Sequence, residues 1–188
     1  MTSKRVSRLM LPVTFAIWVV YGTLAGFGRW PLAVGLGLAA SVLLLALAAS
    51  RHVTIKLMDW MLLAYFLLAA ITTFLIPLAL FRTYSSIVIW LLYAGAAWIS
   101  LLMGRPFTLQ YARESTPPEH WKTQVFLHAN RIITIVWALA FTANLLFVAA
   151  GLDPVFNSLW IAVALPLVSM GAASAFTSIY RRRLRARG

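Results

Sequence analysis

The chain contains no cysteine. That absence excludes disulfides, thiolate catalysis, Cys-ligated zinc and iron–sulfur clusters together. Acids are almost as scarce, with four Asp and Glu against sixteen Lys and Arg. Charged residues make up only 11% of the 188 residues, where a soluble domain carries about 25%. The missing charge is replaced by apolar residues, 62% of the chain. A domain near this size buries only about 70% of its surface, so a water-soluble enzyme is excluded. A disordered chain is excluded by the same figure. The net charge of +12 would suggest nucleic acid in a soluble protein. In an apolar chain its meaning depends on where the cations sit.

Crossing a hydrocarbon core of about 30 Å takes about 20 apolar residues per helix. Six runs qualify: Leu9–Gly28, Pro31–Ser50, Leu57–Phe81, Tyr84–Met103, Ile132–Gly151 and Ser158–Tyr180. None carries a charge near its centre. They are apolar on every side, whereas barrel strands alternate with period two. The first run follows Lys4, Arg5 and Arg8, as a signal peptide would. It is longer than an h-region of about 7–15 residues, and no small-residue cleavage site closes it. It is expected to be a retained first helix.

Cytoplasmic loops collect Lys and Arg. With the N-terminus inside, fourteen of the sixteen cations fall on the inner side, and only Arg29 and Arg82 fall outside. The expected fold is therefore all-α: a polytopic membrane protein with six transmembrane helices and both termini cytoplasmic. Its parts are a basic arm (1–8), a single membrane domain (9–180) and a polybasic tail (181–188). Arginine exceeds lysine thirteen to three, and Ala and Leu dominate. That bias fits a GC-rich bacterial genome, which bears on the genome and not on function. The outer connections are short: Arg29-Trp30-Pro31 with Gly28, Phe81-Arg82-Thr83, and a third beginning Leu152-Asp153-Pro154. Such turns make antiparallel hairpins. Asp153 is expected to staple them through Arg29 or Arg82. Gly22, Gly26 and the pair Ala33 and Gly37 stand at helix-packing spacing.

One connection, 104–131, is long. Within it Thr116-Pro117-Pro118-Glu119 reads as a capping box with proline in the first turn. A short amphipathic helix is expected there between the fourth and fifth spans, with Trp121 anchored in the headgroups. Arg51-His52-Val53-Thr54-Ile55-Lys56 and Arg105-Pro106-Phe107-Thr108-Leu109-Gln110 share the pattern Arg-x-apolar-Thr-apolar-polar, a faint internal repeat.

Few residues carry chemistry. His52, His120 and His128 lie outside the runs, so no bilayer haem is ligated. His120 and His128 are about 12 Å apart along one helix, too far to share a metal. No cofactor and no metal is expected. Asp59 sits at a helix start beside Lys56, where it complements the helix dipole, and no acid lies at mid-membrane for ion coupling. The cytoplasmic-face candidates are Asp59, Arg105, Arg113, Glu114, Glu119 and His120. In the fifth helix, extended back past Ile132, Asn130, Thr134, Trp137, Phe141 and Asn144 share one stripe. Asn144 is deep and needs a partner, expected among Thr72, Thr73 and Tyr93. Thr72 and Thr73 precede Pro77, and Pro166, Ser169, Gly171 and Ser174 form a similar group in the sixth run. These polar positions either line a cavity or bind helices together. Trp121 and the tail cations Arg181, Arg182 and Arg183 are the lipid-contact candidates, the tail facing anionic lipid.

Several segments resemble the intracellular septation protein A family of bacterial inner-membrane proteins. They are Leu11-Pro12-Val13 with Phe15 and Tyr21, Leu91-Leu92-Tyr93, Gly104-Arg105-Pro106, Trp121, and Ile135-Val136-Trp137-Ala138-Leu139-Ala140-Phe141 with Asn144. Tyr111-Ala112-Arg113-Glu114 departs from that pattern. The resemblance implies a role in envelope integrity and division through partner proteins, with no catalytic residues to carry over. The leading expectation is a non-enzymatic membrane protein acting through lipid, membrane-protein partners or a homo-oligomer, and not through nucleic acid. The alternatives are a small transporter or channel for a neutral or lipidic solute, and a membrane-surface enzyme acting on lipid with Glu114, Glu119 and His120.

Overall fold

A computed structural model describes the backbone of residues 3–151 and 159–185, and most side chains between 13 and 184 except 15 and 152–165. The side chains of the arm cations Lys4, Arg5 and Arg8, the turn with Asp153, and the side chains of Arg185 and Arg187 lie outside the described residues. So do the side chains of Leu11, Pro12 and Phe15. Every regular element among the described residues is helical: α1 (Ser3–Gly26), α2 (Trp30–Ser50), α3 (Leu57–Ala70), α4 (Ala79–Leu102), α5 (Thr108–Ala112), α6 (Gln124–Ala150) and α7 (Leu159–Arg185). Four helical segments are long and apolar enough to cross a membrane: Trp30–Ser50, Leu57–Leu75, Ala79–Leu102 and Gln124–Ala150. Each carries bare apolar side chains, since Leu102 is 85%, Leu75 74%, Leu43 68% and Leu146 64% exposed. Water would oppose so much bare apolar surface, and lipid does not. The chain is a membrane protein.

The chain divides into two compact units, residues 1–85 and 86–188, and the division falls within α4. In the first unit α1 packs on α2 and α2 on α3. Because α2 is apolar all round, hydrophobicity does not choose its buried face. Small residues choose it: Ala33, Gly37 and Ser41 recur every fourth position and are buried, and Ala48 follows on the same side. They let a neighbour come close. A Cβ at Gly37 would strike the Phe66 ring, whereas Gly22 and Gly26 face open space. Those two glycines do not serve the close approach expected of them. Phe66 is wedged among Trp18, Tyr21 and Tyr65, with ring centroids 5.2–5.3 Å away. Tyr21 and Tyr65 share a hydrogen bond between their hydroxyls.

The end of the third run differs from its sequence boundary. The helix widens into a π-turn over Ile71–Leu75, and the chain breaks at 76–78 rather than at Phe81-Arg82-Thr83. Pro77 explains both effects. It has no N–H to continue the ladder, and it pushes the preceding Ile76 out of helical geometry, to φ −129° and ψ 81°. Arg82 consequently lies inside α4.

Three helix ends close alike. Gly28 and Gly104 take positive φ, as does His52. In each case the following amide reaches back five residues: Arg29 to the Leu24 carbonyl, Val53 to Ala48, and Arg105 to Ser100. This is the Schellman pattern, with glycine favoured at the left-handed position. Its register contradicts the faint repeat, because the cap of the second exit comes two residues earlier in the pattern. Thr54 is consequently exposed while Thr108 is buried.

Candidate functional site

The second unit holds most of the polar candidates. Its centre is the stripe on α6, where Asn130, Thr134, Phe141 and Asn144 are all buried. Each polar member is tied to another element. The Thr108 hydroxyl donates to the Asn130 carbonyl at 2.9 Å and is 2.7 Å from the Thr134 hydroxyl. A hydroxyl has one proton, so Thr134 donates to Thr108. The Trp137 indole N–H donates to Thr177 on α7 at 3.1 Å. Asn144 accepts a hydrogen bond from Ser169 on α7 at 2.8 Å. Phe141 collects the rings of Tyr93, Trp137 and Phe107 at 5.5–6.5 Å. On α4, Trp98 donates to Thr142 of α6 at 3.0 Å.

Asn144 therefore does not bond to Thr72, Thr73 or Tyr93. Thr72 turns its hydroxyl back onto the Leu68 and Ala69 carbonyls, as helical threonines do in apolar surroundings. Thr73 accepts from the Trp30 indole N–H at 2.9 Å. Both threonines are used inside the first unit, Thr72 within its own helix and Thr73 toward α2.

Asp59 and Lys56 are both buried. The Lys56 backbone N–H donates to the Asp59 carboxylate at 3.0 Å, and the Asp59 N–H donates to the Lys56 carbonyl, also at 3.0 Å. The acid thus closes the first turn of α3 and satisfies a backbone donor that would otherwise be orphaned.

The 104–131 connection is folded against α6 in a way that the sequence pattern does not indicate. No helix starts at Thr116. Pro117 precedes Pro118 and is held extended, at φ −58° and ψ 146°, because a residue before proline avoids helical geometry. A single 3₁₀ turn follows at Pro118–His120, and the helix carrying Val125 and Phe126 is α6 itself. Its cap is Thr123, which accepts from the Phe126 N–H at 3.3 Å. The short helical piece of the connection is α5, five residues long and buried on one side. Ser100 accepts from the Phe107 N–H at 3.2 Å and pins the start of the segment. Trp121 gives its indole N–H to the Thr116 carbonyl at 2.8 Å, with Arg113 5.3 Å from its ring centroid. Its polar end is thus spent within the loop.

A cavity of about 460 Å³ lies where the connection meets α6 and α7. Its apolar wall comes from Ala112, Val125, Phe126, Ala129, Ile133 and Leu184. His120, Thr123, Asn130 and Arg181 stand among its polar lining. Arg105, Arg113, Glu114 and Glu119 are exposed and outside the lining, so the expected trio of Glu114, Glu119 and His120 does not gather around it. Among the described residues no three His, Asp or Glu side chains form a group able to hold a metal. Arg182 and Arg183 are exposed at the end of α7.

The sequence marks neither the aromatic cluster of the first unit nor Thr142 and Thr177, and it marks Thr108 only as part of the apparent repeat. The cluster joins residues more than forty positions apart. The threonines sit in apolar or mixed segments with no period to mark them. No family model, no curated protein and no solved structure matches the chain.

Proposed function

We propose that the chain is a non-enzymatic protein of the bacterial inner membrane that works by contact. It holds lipid and membrane-protein partners in an envelope- or division-related assembly. The reading keeps six spans with both termini in the cytoplasm, which places the 104–131 connection and the arginine tail on the cytoplasmic face. The septation-family resemblance carried by Leu91-Leu92-Tyr93, Gly104-Arg105-Pro106 and the Ile135 to Asn144 segment points the same way.

One observation carries the proposal. The Thr134, Trp137 and Asn144 side chains of the α6 stripe are engaged with other elements through Thr108, Thr177 and Ser169. Groups spent on packing are poor candidates for a solute path. In lipid such bonds join helices, each contributing about 0.6–2 kcal/mol. That supports a scaffold over the competing reading, a carrier for a neutral or lipidic solute. The exposed positions of Glu114 and Glu119, outside the cavity lining that holds His120, weigh against a lipid-acting enzyme, which needs its acid and base to converge.

Complementation tests the proposal. Bacteria lacking the chain should show division or envelope defects. The wild-type chain should rescue them, and a variant with Arg181, Arg182 and Arg183 changed to Gln should rescue them poorly while still inserting. Normal division and an intact envelope in the deleted strain would remove the assembly role.

A further inference from the structure

At one end of the first unit the turn before α2 meets the break at 76–78. Trp30 joins them: its indole N–H donates to Thr73 at 2.9 Å, and its ring stands 6.5 Å from that of Phe81. A turn in water is ordinarily polar, and these are not. Phe27, 79% exposed, stands on the first, and Phe74, Leu75, Ile76, Leu78 and Leu80 are exposed around the second. The backbone at the break makes the opposite demand. Pro77 offers no N–H to the Thr73 carbonyl, and the Leu78 N–H passes over Phe74 to the Thr72 carbonyl at 3.0 Å. The Thr73 and Phe74 carbonyls thus lose their α-helical donors, and irregular backbone facing lipid is not tolerated in the hydrocarbon core. The side chains call for acyl chains and the backbone for water. Only the headgroup boundary supplies both. The charge agrees. Arg29 and Arg82, next in sequence to Trp30 and Phe81, are both exposed, while the one acid of residues 1–85, Asp59, closes the opposite end of α3.

We propose that this end of the first unit is a docking surface for anionic phospholipid. Its apolar side chains seat among the upper acyl chains, and Arg29 and Arg82 extend to the phosphates, as long cationic side chains do at a membrane boundary. Interfacial water satisfies the freed carbonyls, which an apolar protein contact does not. Two cations without a nearby acid favour a lipid of net negative charge over a zwitterionic one. This contact rests on the membrane reading above and adds to it a second lipid surface, which the six-span topology puts in the outer leaflet.

The chain has no cysteine, so one fluorescent label can be placed on the full chain without removing a native thiol. Leu75→Cys and Phe27→Cys carry it at the tip, and Leu43→Cys carries it on an exposed position well inside α2. In vesicles of phosphatidylcholine and phosphatidylglycerol, the tip labels should be quenched more by lipid spin-labelled near the headgroup than by lipid spin-labelled near the chain end. Iodide in the water should quench them little. The Leu43→Cys label should show the reverse depth. In a phosphatidylcholine host, trace spin-labelled phosphatidylglycerol should be enriched at the tip over trace spin-labelled phosphatidylcholine by about fivefold, the effect of one cation at an anionic surface. Arg29→Gln with Arg82→Gln should bring the two to parity. All four positions are exposed, and either tip label decides the matter if the other variant fails to fold. Tip labels open to iodide and untouched by shallow lipid, or equal quenching by the two lipids with both arginines present, would overturn the docking surface. Such a failure leaves the contact function standing, whereas a Leu43→Cys label outside the hydrocarbon would remove the membrane placement beneath both.

Discussion

Thr108 and Thr134 share a hydrogen bond of 2.7 Å that ties the connection after α4 to the buried face of α6. Thr108 in turn donates a hydrogen bond to the Asn130 carbonyl. Thr134→Val keeps the shape and removes the donor. It should lower stability by about 1 kcal/mol, read as a lower melting temperature of the full chain in detergent. Thr54→Val, at the matching place of the apparent repeat, is exposed and should leave the melt unchanged. Equal effects at both positions would restore the repeat.

Gly37 and Phe66 make a second test. Any Cβ at position 37 meets the buried Phe66 ring, and that ring has no room to turn among Trp18, Tyr21 and Tyr65. Gly37→Ala should destabilise the chain by about 1–3 kcal/mol, the cost of overpacking. Gly35→Ala has open space around its new methyl and should be neutral or slightly stabilising by helix propensity. Thermal melts of the two variants side by side separate packing from propensity.

These contacts show what was legible in the sequence. The stripe on α6 was, because buried polar residues at spacings of three and four mark one helix face whatever their partners. Their partners were not, because nothing local in a uniformly apolar helix says which neighbour it meets. Asn144 accordingly bonds Ser169 rather than Thr72, Thr73 or Tyr93. The breaks were half legible. Pro77 and the pair Pro117 and Pro118 announce interruptions, but their displaced positions follow from backbone rules. The residue before a proline leaves helical geometry, which moves one break to 76–78 and the next helix start from Thr116 to Thr123.

Asp59 separates a structural acid from a coupling acid. Asp59→Asn retains an oxygen for the Lys56 N–H and should keep most of the stability. Asp59→Ala should lose about 1 kcal/mol or more, the usual worth of a cap. Melting curves of the two variants should therefore differ. If Asn and Ala are equally destabilising, charge rather than capping is what Asp59 supplies.

Asn144 carries the central claim, that the polar stripe holds helices together. The most direct measurement is solute flux through vesicles reconstituted with the wild-type chain and with Asn144→Leu, beside their melting temperatures. The account predicts no flux above protein-free vesicles for either chain, and a melt lowered in the variant by about 1 kcal/mol of lost Asn144–Ser169 bonding. A saturable flux in the wild type that vanishes in Asn144→Leu, with the melt unchanged, would contradict it.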